Sequence, residues 1–468
     1  MNLILTNLGL SVIFVFFIIS TVSFLKNNFT DNELYLVYFA VIFAYLYRLI
    51  RAISSDSFIW ILIFPTIIIV YLFYLSLSRR IHKKDLDIID YLFFFLFLYG
   101  IFSTILSYLV TGQIIGSLAK FSHFYFPLVL YFIVRIHLTK EPKNYYKIFN
   151  LFWIISVLLI INFIAEYYLI MIIEKPGSIY WSYPFMEQFA SNYSSDVSAR
   201  IETDSKAFLL NLGIFGYLKV LVMSIASLSF FYMSAFYSQK KYYNKNQLKV
   251  IYLRSTILNI TLFLVALICI LFSRYTTVIG VSFIVIILTN LYFFNSKIII
   301  PAVLILACIF LIFQELIIVQ FEIKFLTQYS EGKTAFQTIF NLYPLVQDYK
   351  SNFYNSILGD YIHSTSMIRG GQETELRILA YPIFYGWIWA ILFLLLIFNL
   401  IKKSNEVIKF ERFNKTNLLG LGFMGYFLFI ILDFHYPYFD RHGPFETFVV
   451  LSALLVSINK NNLKSNEL

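Results

Sequence analysis

The sequence predicts an all-α integral membrane protein that crosses the bilayer about a dozen times. Of its 468 residues, 60% are hydrophobic and only 13% are charged, whereas soluble domains carry roughly a quarter charged residues. Apolar runs of about 18 residues or more recur along the chain, which is the length that an α-helix needs to span hydrocarbon. Long apolar runs indicate helices, because backbone groups in lipid must find partners within their own segment.

About 12–13 spans are predicted by this criterion. They cover approximately residues 3–25, 34–50, 58–78, 88–110, 121–138, 148–173, 207–237, 251–271, 276–293, 298–319, 377–401, 416–433 and 445–458. The first run has no basic residue before Lys26, so we expect a permanent span rather than a cleaved signal peptide. Cys269 and Cys308 lie inside apolar runs and are predicted to be small buried hydrophobic residues.

The distribution of basic residues predicts the orientation of these spans. Alternate connections hold clusters of Lys and Arg, and the positive-inside rule places those connections in the cytoplasm. The clusters are Lys26; Arg79, Arg80, Lys83 and Lys84; Arg135, Lys140, Lys143 and Lys147; Lys240, Lys241, Lys245, Lys249 and Arg254; Lys297; Lys402, Lys403, Lys409, Arg412 and Lys415; and Lys460 and Lys464. The C-terminus is therefore predicted inside. The N-terminus lies outside if there are thirteen spans, unless one early segment is re-entrant.

Two long connections, 174–206 and 320–376, then become extracytoplasmic loops of a single transmembrane domain, 1–468. The net charge of +10 is spread over short inside loops. A nucleic-acid-binding protein would instead need a basic soluble face, so no nucleic-acid partner is expected.

Arg274 lies in the short outer connection FSRYT, on the side where the positive-inside rule disfavours a cation. The planar guanidinium fork suits a diphosphate group. The alternative is an anchor that snorkels to the interface.

The late outer loop holds the next candidates. Arg369, Glu373 and Arg377 follow each other at spacings of four residues, which on a helix makes either a functional ladder or a solvated salt-bridge face. His363, in GDYIHSTS, is a candidate general base, or it hydrogen-bonds a backbone carbonyl.

Two further cations are predicted to face the outer side. Arg200 precedes the span that begins near 207 and is either a diphosphate contact or a loop anchor. Lys219 lies within the apolar run GIFGYLKVLVMS, where a cation is expected to face a cavity or a partner.

The stretch LDFHYPYFDRHGPFE, residues 432–446, is unusually polar for its setting between two spans. Arg441 is a candidate phosphate contact at the rim of an outer-facing cavity, or it pairs with Asp440 in a tight turn. The Asp and His residues form a weak metal-like set, but Pro and Gly favour a turn. Motifs for zinc, CxxC or nucleotide binding are absent from the sequence, so no cofactor or metal is expected.

Two segments carry a resemblance to a known family. Ser273-Arg274 between two spans, and residues 357–397, ILGDYIHS…ETELRILAYPIFYGWIWAILFLLL, resemble bacterial O-antigen polymerases of the Wzy type. The O-antigen ligases share the layout, but their late loop typically carries a His-Asn pair where this chain has Glu373-Thr374-Glu375. This difference favours a polymerase.

The resemblance implies an inverting, metal-independent glycosyltransferase in the bacterial plasma membrane. Such enzymes join oligosaccharide repeats linked to undecaprenyl diphosphate at the outer face, for lipopolysaccharide or capsule, and can work beside a chain-length regulator protein. It implies that Arg274, Arg369, Arg377 and Arg200 contact the diphosphate and that an acid-base group lies in the late loop; Glu373, Glu375 or His363 is the candidate base. The alternatives are a ligase, a transporter or flippase of lipid-linked oligosaccharide, and a non-catalytic assembly subunit.

Overall fold

The structure is a computed structural model that describes residues 86–112, 121, 125, 127–140, 157, 160–161, 164, 261–262, 264–269, 282, 385–410, 417–432 and 444–458. Regular structure in these residues is helical throughout, without strands, as predicted. The longer helices are α1 (Ile88–Thr111), α2 (Leu128–Lys140), α3 (Trp387–Phe410), α4 (Asn417–Leu432) and α5 (Pro444–Ser457). The chain divides into one compact unit of Met1–Leu221, Leu392–Phe413 and Tyr438–Leu468, and another of Val222–Ile391 and Asn414–Pro437.

Within this part of the chain, two helices are long and apolar enough to cross a membrane, at Ile88–Leu109 and Trp387–Val407. Three further helices are apolar but shorter, at Leu128–Thr139, Gly422–Ile431 and Phe445–Ser457. At 1.5 Å per residue, the 22 residues of the first span measure about 33 Å, close to the thickness of the hydrocarbon layer.

Helix α1 matches the predicted run 88–110 to within one residue, because each of its ends carries a capping residue. Asp87 is the N-cap, in extended conformation, and its side chain accepts from the backbone N–H of Ile89 at 3.2 Å. Gly112 ends the helix with φ 67°, and its N–H donates to the carbonyl of Tyr108 at 2.8 Å. Gly is favoured there because this left-handed conformation strains a residue with a Cβ.

Helices α1 and α2 pack in antiparallel register. Asp90 of α1 lies against Arg135 of α2, and the rings of Phe93 and Tyr131 stack with centroids 3.8 Å apart. Further along α1, a Cβ on Gly100 would lie 2.2 Å from the ring of Tyr125, which precedes α2. Contacts nearer the C-terminus of α1 therefore involve residues nearer the N-terminus of α2. The absence of a side chain at Gly100 lets the Tyr125 ring approach the α1 backbone.

The observed α3 corrects one predicted boundary. The span was predicted at 377–401 with Lys402 and Lys403 in a loop, but α3 begins at Trp387 and continues through both lysines to Phe410. Gly386, with φ 88°, immediately precedes the helix. The lysines are good helix formers, and Lys403 has an ion-pair partner on α1, which explains why the helix does not end where its apolar sequence ends.

The side chains of α5 are buried from Phe445 to Ser457. It packs on α2, and Phe448 contacts Phe93 of α1 and Phe393 of α3, with ring centroids 6.3 and 5.9 Å apart. The hydroxyls of Ser452 and Ser457 donate to carbonyls four residues earlier. Such bonds satisfy polar groups inside an apolar bundle, so α5 is a central helix of its unit.

Candidate functional site

The most concentrated polar structure in the described residues lies at the N-terminus of α1. Asp87 and Asp90 form a capping box, in which the Asp87 backbone N–H donates to Oδ2 of Asp90 at 2.7 Å. Each carboxylate therefore satisfies a backbone donor that the first turn of a helix leaves free. Both negative charges are also favoured there by the helix dipole. The same two carboxylates then bind side chains from two other helices.

Asp90 binds α2. Its Oδ1 accepts from the Tyr131 hydroxyl at 2.6 Å and from Arg135 Nε at 3.2 Å, and its Oδ2 has a longer contact of 3.5 Å with an Arg135 terminal nitrogen. Asp90 and Arg135 are both buried, with 4% and 7% of their surfaces exposed. With the capping bond, this carboxylate has donors on both oxygens. We call Asp90, Tyr131 and Arg135 the buried lock.

Asp87 binds α3. Its Oδ2 accepts from Lys403 Nζ at 2.9 Å, and these side chains are 21% and 23% exposed. Lys403 also lies 4.0 Å from Oε2 of Glu406, one turn along α3, whose side chain is 47% exposed. We call the Asp87–Lys403 pair the half-buried latch, because solvent reaches only part of both side chains.

The buried lock and the half-buried latch differ in their expected energetic weight. Removing one member of a buried ion pair typically costs about 3–5 kcal/mol, because the remaining charge lies in a low dielectric. A pair that solvent reaches contributes less, and at fully exposed sites typically about 0–1 kcal/mol. The lock therefore fixes α1 against α2, whereas the latch adds a weaker bond between α1 and α3.

At the level of the latch, the exposed surfaces of α1 and α3 change from charged to apolar. The exposed face of α1 is apolar from Ile88 to Leu109, directly after Asp87. On α3 the exposed face is apolar from Trp387 to Phe398 and then becomes charged at Lys402 and Glu406. Because Lys403 contacts Asp87, the two changes from polar to apolar surface occur at one common level.

The predicted catalytic and diphosphate-binding residues lie outside the residues that the structure describes. They are Arg200, Lys219, Arg274, His363, Arg369, Glu373, Glu375, Arg377 and Arg441. Their mutual geometry stays a prediction.

Two other residues singled out in the sequence are described. Glu446, from the polar stretch 432–446, is buried in the first turn of α5, where a helix N-terminus favours negative charge. Cys269 is a buried free thiol, as predicted. In the described part of the chain, His, Cys, Asp and Glu side chains form no group of three that could hold a metal ion.

Sequence reasoning missed the aspartates of the lock and the latch. Arg135 and Lys403 belong to the basic clusters that predict the orientation of the chain, and the structure pairs them with Asp90 and Asp87. The signal that marks their partners is short: in DLDIIDYLF, two Asp residues three positions apart come directly before an apolar run. This spacing is the signature of a capping box. Its contacts with α2 and α3 depend on tertiary packing.

Comparison of the chain with models of protein families, with curated proteins and with solved structures gives no match.

Proposed function

We propose that this chain is a polytopic membrane protein that polymerises lipid-linked oligosaccharide repeats. The membrane part of the proposal depends on the apolar faces of α1 and α3. A helix of a soluble protein buries one face and presents a polar face to water. Here the face of α1 opposite the buried one carries Tyr91, Phe94, Leu98, Phe102 and Ile105, all exposed. Contiguous apolar surface of this extent is rare on a soluble monomer, and lipid is the solvent it fits.

The common level of the change in surface character supports the same proposal. If the half-buried latch marks an edge of the hydrocarbon layer, α1 extends from that edge across about 33 Å, which matches a bilayer. Charged side chains at Lys402, Lys403, Glu406 and Asp87 then lie at the headgroup level. The positive-inside rule assigns this edge to the cytoplasm, because Lys402 and Lys403 belong to a basic cluster.

The enzymatic part of the proposal depends on the sequence. Ser273-Arg274 and residues 357–397 resemble the O-antigen polymerases, and the predicted outer loops hold Arg200, Arg369 and Arg377. A lipid diphosphate leaving group requires two or three fixed cations near headgroup depth, since they stabilise charge that develops as its bond to the sugar breaks. Lys219 and Arg441 are reserve cations in this proposal.

The proposed reaction is a single displacement with inversion. A hydroxyl of one oligosaccharide attacks the anomeric carbon of another, the bond from that carbon to the diphosphate oxygen breaks, and the new glycosidic bond forms. The hydroxyl proton passes to a carboxylate or imidazole of the late loop, for which Glu373, Glu375 and His363 are the candidates. The polyprenyl diphosphate leaves with the bonding electrons, held by the arginines.

The test uses the full chain purified into lipid discs and supplied with a polyprenyl-diphosphate-linked repeat unit. We expect a ladder of product lengths that Arg274→Ala abolishes. Arg274→Lys keeps the charge but loses the fork and should retain partial activity, while Lys402→Ala, an exposed lysine on α3, serves as a control with unchanged activity. A ladder that survives Arg274→Ala would demote Arg274 to an anchor. Absence of any extension with a matched repeat would favour transfer to another acceptor or transport.

A further inference from the structure

The contacts of Lys403 differ from those of every member of the buried lock. Its ammonium lies 2.9 Å from a carboxylate of another helix, Asp87, and 4.0 Å from a carboxylate of its own helix, Glu406. Rotation of its side chain exchanges one partner for the other without leaving the charge unpaired. The long lysine stem permits this rotation, and solvent reaches all three groups.

We propose that Lys403 is a releasable latch between α3 and α1. In the closed position it binds Asp87 and holds α3 on the N-terminus of α1. In the open position it binds Glu406 and lets this end of α3 separate from α1. The buried lock keeps α1 and α2 together in both positions, so the motion belongs to α3 alone. This inference depends only on the geometry of the described helices and stands or falls independently of the proposed enzymatic activity.

Two features of the site make the open position accessible. Asp87 loses no cap when Lys403 leaves, because its other oxygen, Oδ1, accepts from the Ile89 N–H. Both members of the latch are partly accessible to solvent, so salt weakens their attraction. The controlling chemistry is therefore the ionic strength, or the charge of bound groups, at this edge of the membrane.

The first test measures the accessibility of the Lys403 amine in the full chain in lipid discs. Sulfosuccinimidyl acetate labels free amines, and fragment masses separate Lys403 from its exposed neighbour Lys402, which is an internal control on the same helix. We expect Asp87→Asn combined with Glu406→Gln, which removes both carboxylate partners, to raise the labelling rate of Lys403 relative to Lys402 by up to about fivefold. Asp87→Asn alone should raise this ratio less, because Glu406 then binds the amine. Asn retains an oxygen for the N-cap. Salt should raise the wild-type ratio in the same direction, and Glu406→Gln should leave the closed position intact.

The second test measures the separation of the helices. With Cys269 and Cys308 replaced by Ala, spin labels at Tyr91 of α1 and Phe398 of α3, both exposed, report the distance across the latch. Labels at Tyr91 and Thr139, exposed on α2, report the distance across the lock. Asp87→Asn should add a longer distance to the first pair and leave the second unchanged.

Either of two results would overturn the latch. One is an unchanged Lys403 labelling ratio together with an unchanged α1–α3 distance in Asp87→Asn. The other is a larger response to Glu406→Gln than to Asp87→Asn, which would make Glu406 the resting partner.

Discussion

The Asp90 carboxylate on α1 accepts from Arg135 Nε on α2 at 3.2 Å, with both side chains buried. The same carboxylate caps its own helix through the Asp87 N–H. One short side chain thus begins a helix and fixes the partner against which that helix packs. A membrane helix gains little from hydrophobic association with another, since lipid is equally apolar, so polar contacts of this kind carry much of the specificity of packing.

Loss of the lock should be far more costly than loss of the latch. We expect Asp90→Asn to lower the free energy of unfolding by about 3–5 kcal/mol, because the buried guanidinium of Arg135 loses its ion pair with the Asp90 carboxylate. Asp87→Asn should cost less, on the order of 1 kcal/mol, because solvent partly reaches this pair. Thermal unfolding in detergent, followed for both variants, measures the difference. Equal destabilisation of the two variants would show that burial does not separate these pairs.

Gly100 should tolerate no larger side chain while Tyr125 is present. A Cβ at this position would lie 2.2 Å from the Tyr125 ring, so Gly100→Ala forces the ring or the helix to move and should cost about 1–3 kcal/mol. Replacing Tyr125 by Ala in the same chain removes the clash, and the two substitutions should then be less than additive in thermal unfolding. Gly112→Ala is the matched control: it meets nothing within 4 Å and carries only the strain of φ 67°.

A lysine introduced in the middle of the exposed face of α1 tests whether that face contacts lipid or water. Phe102 is 56% exposed, and Phe102→Lys should reduce the amount of membrane-integrated protein, since Lys at the centre of a span costs about 2.5–3.5 kcal/mol. Tyr91→Lys, near the helix start, should be tolerated because the side chain can snorkel. Fractionation after alkaline extraction measures both. An unchanged amount of membrane-integrated Phe102→Lys protein would contradict a lipid-facing α1.

The side of the membrane on which the latch lies is testable by cysteine labelling. A chain without native cysteines and with Lys402→Cys should react with a membrane-impermeant maleimide only after the cells are opened, because the basic cluster predicts a cytoplasmic position. Arg274→Cys should react in intact cells. Reaction of the residue 402 cysteine in intact cells would invert the predicted orientation.

The bounds of α1 can be predicted from local sequence. The apolar run 88–110 predicts its bounds and apolar length, and the structure adds the reason for those bounds, an N-cap Asp and a C-terminal Gly that act within a few residues. The end of α3 shows where it fails. Apolar composition places the boundary at 401, yet the helix continues to Phe410 with Lys403 bound to Asp87, more than 300 positions away. Periodicity and hydropathy contain no information about a partner that distant.

The candidate site divides in the same way. Sequence alone determined that the chain is apolar enough for a membrane and that helices form, because these properties depend on residue type and local spacing; it also predicts which cations lie on the outer side. Only the tertiary structure decided that Arg135 and Lys403 are helix-bound partners of Asp90 and Asp87, and that the surfaces of α1 and α3 change from charged to apolar at a common level. Those facts depend on which helices meet and in what register, and the energy of a charge depends on the groups that surround it in space.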